Sequence, residues 1–255
     1  MSGGRPPGIT GLNYTPLIDL GTLNRSLSPT PGPMCSVESL IDEMTAIASY
    51  MSTEMNANAK SSDVIKMHEL NSYSSTECVS EFMELSLWRK LFGLGITPEQ
   101  CINRQFTYSA AALLIWSEKV RQNAIWDHKP IISQRFHPRN LKGAQHWHLN
   151  GNTLYYYDVW SNVHYGYVGI AAGFSESVLL DGAGLEQIGS TLLRGALPSS
   201  DPNIQGLRAW DDLQDRAGIE IGIQLYQLHP SGLSMQVLLN SILTAPNIRT
   251  KRYKG

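Results

Sequence analysis

The sequence predicts an α+β fold, a predominantly α-helical single domain with a small β-hairpin around residues 144–158. Apolar residues recur at helical spacing through the first half of the chain and again near its end. Alternating apolar and polar residues flank Asn150-Gly151, a dipeptide that tolerates the positive φ angles of a tight hairpin turn. A hydrophobic fraction of 42% with 16% charged residues over 255 positions describes a folded chain able to bury a sizeable core.

Residues 1–34 are rich in proline and glycine and lack apolar periodicity, so they read as a leader or linker, with the folded domain over 35–255. Ser36 is placed to cap a helix whose inward positions are Val37, Leu40, Ile41, Met44, Ile47, Ala48, Met51 and Met55. A second helix fits 78–92, with Val79, Phe82, Met83, Ser86, Leu87 and Leu91 inward and Gly93 as the stop. Thr97-Pro98-Glu99-Gln100 then supplies a cap, a proline in the first turn and an acid at the positive end of the dipole, and helix resumes over 108–121.

After the hairpin, which delivers Asp158 at the end of its second strand, Gly166, Gly169 and Gly173 fall three to four residues apart. On a helix they are close-approach positions; in a loop they are turns. Ser175 caps a short helix, residues 185–194 form another, and 198–205 read as a loop. Asp212 and Asp215 have the spacing of a capping box opening a helix through Gly218 and Gly222 to Leu228, and a last amphipathic helix covers 234–243.

No run of about 18 apolar residues is present, so no membrane span is expected, and residues 1–34 lack the pattern of a secretory signal. A net charge of −2 and the absence of any basic cluster except Lys251-Arg252-Tyr253-Lys254 count against nucleic acid, and that cluster reads as a frayed, solvated tail. Three cysteines without a CxxC pair argue against a zinc knuckle. Cys78 and Cys101 can pair in an oxidising compartment or remain buried thiols on helices.

Chemistry concentrates in the middle of the chain. Five of the seven histidines (128, 137, 146, 148 and 164) fall in one segment, together with Trp126-Asp127-His128-Lys129 and the aromatic run from Tyr155 to Tyr167. Asp127 is either a site carboxylate or the cap of a turn before Pro130. His164, among Trp160, Tyr165 and Tyr167 and six residues after Asp158, is the strongest titratable candidate; its bland alternative is a core histidine bonded to a carbonyl. Asp181, Glu186, Asp211, Asp212 and Asp215 form a second acidic group that capping and solvation explain cheaply. Two carboxylates converging from different segments suit glycoside hydrolysis. His146 and His148 share a strand face but lack a third ligand, and HExxH, calcium-loop, GxSxG and phosphate-loop motifs are absent, so no metal and no cofactor is expected.

Four motifs, in order, carry a resemblance: Trp126-Asp127-His128-Lys129; Asp158 through Gly169 with its Asn-x-His-Tyr-Gly centre; Gly182-Ala183-Gly184-Leu185-Glu186-Gln187; and Asp211-Asp212-Leu213-Gln214-Asp215. Over roughly residues 100–230 the chain resembles the bacterial toxin 44 family of polymorphic toxin systems; residues 1–95 carry no resemblance. The resemblance implies a secreted antibacterial effector with a secretion-system carrier and a cognate immunity protein. It carries over Asp127, Lys129, Asp158, His164, Asp212 and Asp215 as functional positions without naming the reaction.

Composition orders the possible reactions. Aromatic faces around acids on a slightly negative chain favour a glycan, so peptidoglycan in the target periplasm is the expected substrate. Asp158 or Asp127 would act with His164 in acid–base cleavage, and Trp126, Tyr157, Trp160 and Tyr165 would line the cleft. The alternatives are a metal-independent ribonuclease acting in the cytoplasm on RNA through His164 and Lys129, and a non-catalytic binding module that uses the aromatic segment as an interface.

Overall fold

In the computed structural model the described residues are 42–136, 146–181 and 213–253, all within one compact unit. They are mostly helical, with one small antiparallel sheet. The expected cap at Ser36, the elements at 185–194 and 198–205, the motif at 182–187, and Asp211 and Asp212 lie outside the described residues, as do the 1–34 leader and His137.

Helix α1 spans Met44–Asn58. Its first turn is held by Asp42, whose Oδ1 accepts from the backbone N–H of Met44 and Thr45 at 2.9 and 3.1 Å. Met44, Ile47, Ala48, Met51 and Met55 are all buried, as the periodicity predicts. Helix α2 (Ser62–Asn71) follows, capped by Ser61.

The single helix expected over 78–92 is two, α3 (Ser75–Glu84) and α4 (Leu87–Leu91), because Leu85 turns extended (φ −61°, ψ 140°) between them. The break removes the expected inward face: Met83, Leu87 and Leu91 are 65%, 71% and 68% exposed. Conversely, the two helical stretches expected at 97–100 and 108–121 are one helix, α5 (Pro98–Val120). Its capping box is complete, with Thr97 N donating to Gln100 Oε1 and Gln100 N to Thr97 Oγ1. Cys78 on α3 and Cys101 on α5 form a disulfide.

Helix α6 (Lys129–Arg135) leads to the sheet, formed by β1 (Trp147–Asn150), β2 (Thr153–Tyr156) and β3 (Thr250–Arg252) in that order. Asn150 pairs with Thr153, so the loop residues are Gly151 and Asn152, one position later than expected, and Gly151 takes the positive φ of +58°. Lys251 and Arg252, from the basic segment read as a frayed tail, belong to strand β3, paired antiparallel to β2. His148 is buried and donates from Nε2 to the Phe136 carbonyl at 2.9 Å, so it does not sit at an exposed hairpin tip.

Asp158 opens helix α7 (Asp158–Ala171) rather than closing a strand. Helices α8 (Glu176–Asp181), α9 (Leu213–Leu228) and α10 (Met235–Thr244) complete the described chain, with Ser175 and Ser234 capping α8 and α10. The glycines resolve to the helical alternative: a Cβ on Gly166 would stand 2.1 Å from the Ile219 carbonyl oxygen, and one on Gly222 2.1 Å from that of Val163. Helices α7 and α9 therefore touch backbone to backbone, which fixes one face of α7 and leaves another to line a cleft. Among the described residues no helix is long and apolar enough to cross a membrane.

Candidate functional site

Helix α7 lends one face to a cleft of about 470 Å³. Tyr157, Ser161, His164 and Tyr165 follow the helical repeat and share that face. The facing wall comes from the end of α5, the turn after it and the start of α6, including Asn123, Trp126, Asp127, Lys129 and Ser133. Six of the residues singled out in the sequence thus meet here: Trp126, Asp127, Lys129, Tyr157, His164 and Tyr165.

His164 is 1% exposed and forms the floor. Asn58 Nδ2 donates to its Nε2 at 3.0 Å, so the neutral ring carries its proton on Nδ1. The His128 ring packs edge-on at 4.3 Å between centroids, and Tyr50 Oη lies 3.0 Å from His128 Nδ1. His128 Nε2 is buried without a hydrogen-bond partner. Burial pushes His128 down to about 4, against the partial pull of Asp127, and it pushes His164 well below the usual histidine range, helped by His128. Both rings are neutral at pH 7.

The carboxylate of Asp127 accepts from the backbone N–H of Asn123 at 2.9 Å and of Lys129 at 3.2 Å. It caps the turn between α5 and α6 while still facing the cleft. Asp158, the neighbour of Tyr157, is not among the residues that line the cleft; burial first, then the charge of Asp215, raise its carboxyl to about 6, against the opposing cations Lys129 and Arg249. Asp215, in the first turn of α9, accepts from Asn162 Nδ2 at 2.8 Å, a bond from α9 to α7. The buried Ser161 Oγ and Asn162 Oδ1 have no protein partner.

Trp160 does not line the cleft. It is 1% exposed, packed in the core, and not among the residues that line the cleft. Tyr165 reaches both, lining the cleft while packing edge-on against Trp116 with centroids 5.0 Å apart, and burial pushes its hydroxyl up to about 12.

Several site residues had no sequence signal. Tyr50 and Asn58 lie on α1, which its methionine row marks only as core; Ser133, Gln122 and Asn123 are ordinary loop and helix polars; Arg249 comes from the far end of the chain. Among the described residues no group of three or more His, Cys, Asp or Glu side chains is arranged to hold a metal ion.

Residues 115–228 match the family model for bacterial toxin 44, a segment that opens within α5, closes at the end of α9 and contains both walls of the cleft. Over that segment the chain is similar to the bacterial toxin 44 family. No curated protein and no solved structure matches the chain. The matched segment does not supply the whole site. Tyr50 and Asn58, which contact the two buried imidazoles, and Arg249, which acts on Asp158, all lie outside the matched residues.

Proposed function

We propose that this protein is a secreted antibacterial effector that hydrolyses peptidoglycan in the periplasm of a target cell, with a cognate immunity protein protecting the producer. The observation that supports a glycan-cleaving reaction is the carboxyl of Asp158, next in the chain to the cleft-lining Tyr157 and raised to about 6. A glycosidic oxygen is a poor leaving group until protonated, so cleavage needs an acid that keeps its proton near neutral pH.

In this reading Asp158 gives its proton to the glycosidic oxygen as the C–O bond breaks. The cleft-facing carboxylate of Asp127 takes a proton from the water that adds to the anomeric carbon, and each group then recovers its starting state by exchange with solvent. His164 contributes a fixed Nδ1–H donor from the floor, and Lys129 restrains the Asp158 carboxyl. Tyr157, Trp126 and Tyr165 offer ring surface to sugar faces.

A ribonuclease reading is favoured by one observation, that Lys129 and His164 share the cleft. It requires His164 as the base, whereas Asn58 occupies Nε2 and the other ring nitrogen carries the proton. Incubation of the purified protein with sacculi decides between them. Release of soluble muropeptides, lost in Asp158→Asn, supports the glycan reading; no release, with degradation of total RNA that His164→Ala abolishes, overturns it.

A further inference from the structure

The outer face of the sheet carries a second set of groups, none of which lines the cleft, although Arg249 also acts on Asp158. Across the three strands Trp147, Tyr156 and Arg249 stand in one row, since Trp147 pairs with Tyr156 and Tyr156 N donates to the Arg249 carbonyl. Lys251, two residues on, shares their face. The Arg249 guanidinium lies 4.2 Å above the Tyr156 ring and the Lys251 ammonium 4.0 Å above that of Trp147. Both cations are exposed, and neither forms an ion pair among the described residues. No acid occurs on any of the three strands; Asp42 and Glu43 are bonded along the β1 edge, to Asn150 and Leu149. The face runs into the cleft: Tyr156 adjoins Tyr157 at 5.0 Å between centroids, and His146 stacks on Tyr157 at 4.5 Å.

We propose that this sheet face is a binding subsite for the carboxylates of peptidoglycan peptide stems, holding the polymer while its glycan strand enters the cleft. The argument rests on the peptidoglycan reading above. A guanidinium laid flat on a ring keeps its N–H edge directed outward, where it meets a planar carboxylate in a bidentate pair. An ammonium two residues along the same strand sits about 7 Å away, which suits a second carboxylate on the same or the next stem. The rings are capped by these cations, so they offer no free face for stacked bases, which is what single-stranded nucleic acid would need.

Cosedimentation with insoluble sacculi, read alongside fragment release, tests this. The Arg249→Gln/Lys251→Gln double variant is expected to bind sacculi about tenfold more weakly than wild type. Sacculi stripped of peptide stems by an amidase should bind both proteins equally weakly. Equal binding of wild type and double variant to intact sacculi overturns the subsite, and so does a charge-dependent retention on single-stranded RNA that sacculi do not show. Muropeptide release with charge-independent binding removes the subsite and leaves the catalytic reading. Charge-dependent binding without release removes the catalytic reading and leaves the subsite.

Discussion

Asn58 on α1 and His164 on α7, 106 residues apart in the chain, are joined by a 3.0 Å hydrogen bond that sets which imidazole nitrogen carries the proton. The donor is an amide N–H, so the acceptor is the bare Nε2, and the proton of the neutral ring sits on Nδ1.

Asn58→Asp replaces that donor by an acceptor and should reverse the tautomer, observable as exchanged 15N shifts of the two imidazole nitrogens. Asn58→Ala leaves a buried ring nitrogen unpaired and should lower stability by about 1–3 kcal/mol in chemical denaturation. Unchanged 15N shifts in both variants would mean that Asn58 does not fix the ring.

Asp158 should limit activity on the alkaline side. Its carboxyl titrates at about 6, so the rate falls as pH rises through that value. Asp215→Asn removes the charge that helps hold the proton and moves the fall to lower pH; Lys129→Met removes an opposing cation and moves it higher. Asp158→Asn is expected to lower kcat by about 10²- to 10⁴-fold with the fold intact. A pH profile whose alkaline limb stays fixed in Asp215→Asn counts against this assignment.

Stability should fall on mild acidification. His128 and His164 have depressed values in the fold, so below pH 6.5 the unfolded chain takes up protons that the folded chain refuses. Asp158 acts oppositely, since its raised value lets the folded state bind a proton first as pH drops through about 6. Two histidines against one carboxyl leave about one extra proton on the unfolded state between pH 6 and 5, a loss on the order of 1 kcal/mol per pH unit. Denaturation midpoints measured across that interval check the slope, and His128→Asn should flatten it.

The contact of α7 with α9 makes Gly166→Ala and Gly222→Ala destabilising, because the added methyl meets a backbone carbonyl that cannot step aside. A loss of about 3 kcal/mol or more is expected in thermal unfolding. Gly169→Ala should be milder, since its methyl meets the side chain of Leu179, which can rotate.

Much of this architecture was legible because its causes are local. The Thr97 capping box, the Ser175 and Ser234 caps and the methionine row of α1 each write their geometry within one or two turns. The motifs at 126–129 and 157–165 marked six of the cleft residues, since loops and helix ends crowded with polar and aromatic groups are costly unless they face something. What escaped the sequence depends on distance along the chain. Strand β3 exists only because β2 offers it an edge, so its basic residues read as a tail. Leu85 breaks the helix at 78–92 without a proline or glycine at the break. Asn58 and Tyr50 meet histidines 106 and 78 residues away, a separation that no pattern in either segment announces.

The borders of the toxin 44 match, Ile115 and Leu228, cut through α5 and leave α1, α10 and β3 outside. Trimming the protein to those borders for grafting onto another carrier would strip the floor imidazole of its amide partner and expose the methionine side of the core. The transplantable unit of this toxin is therefore larger than its recognisable signature, and a chimera that keeps its potency must bring the flanking helices along.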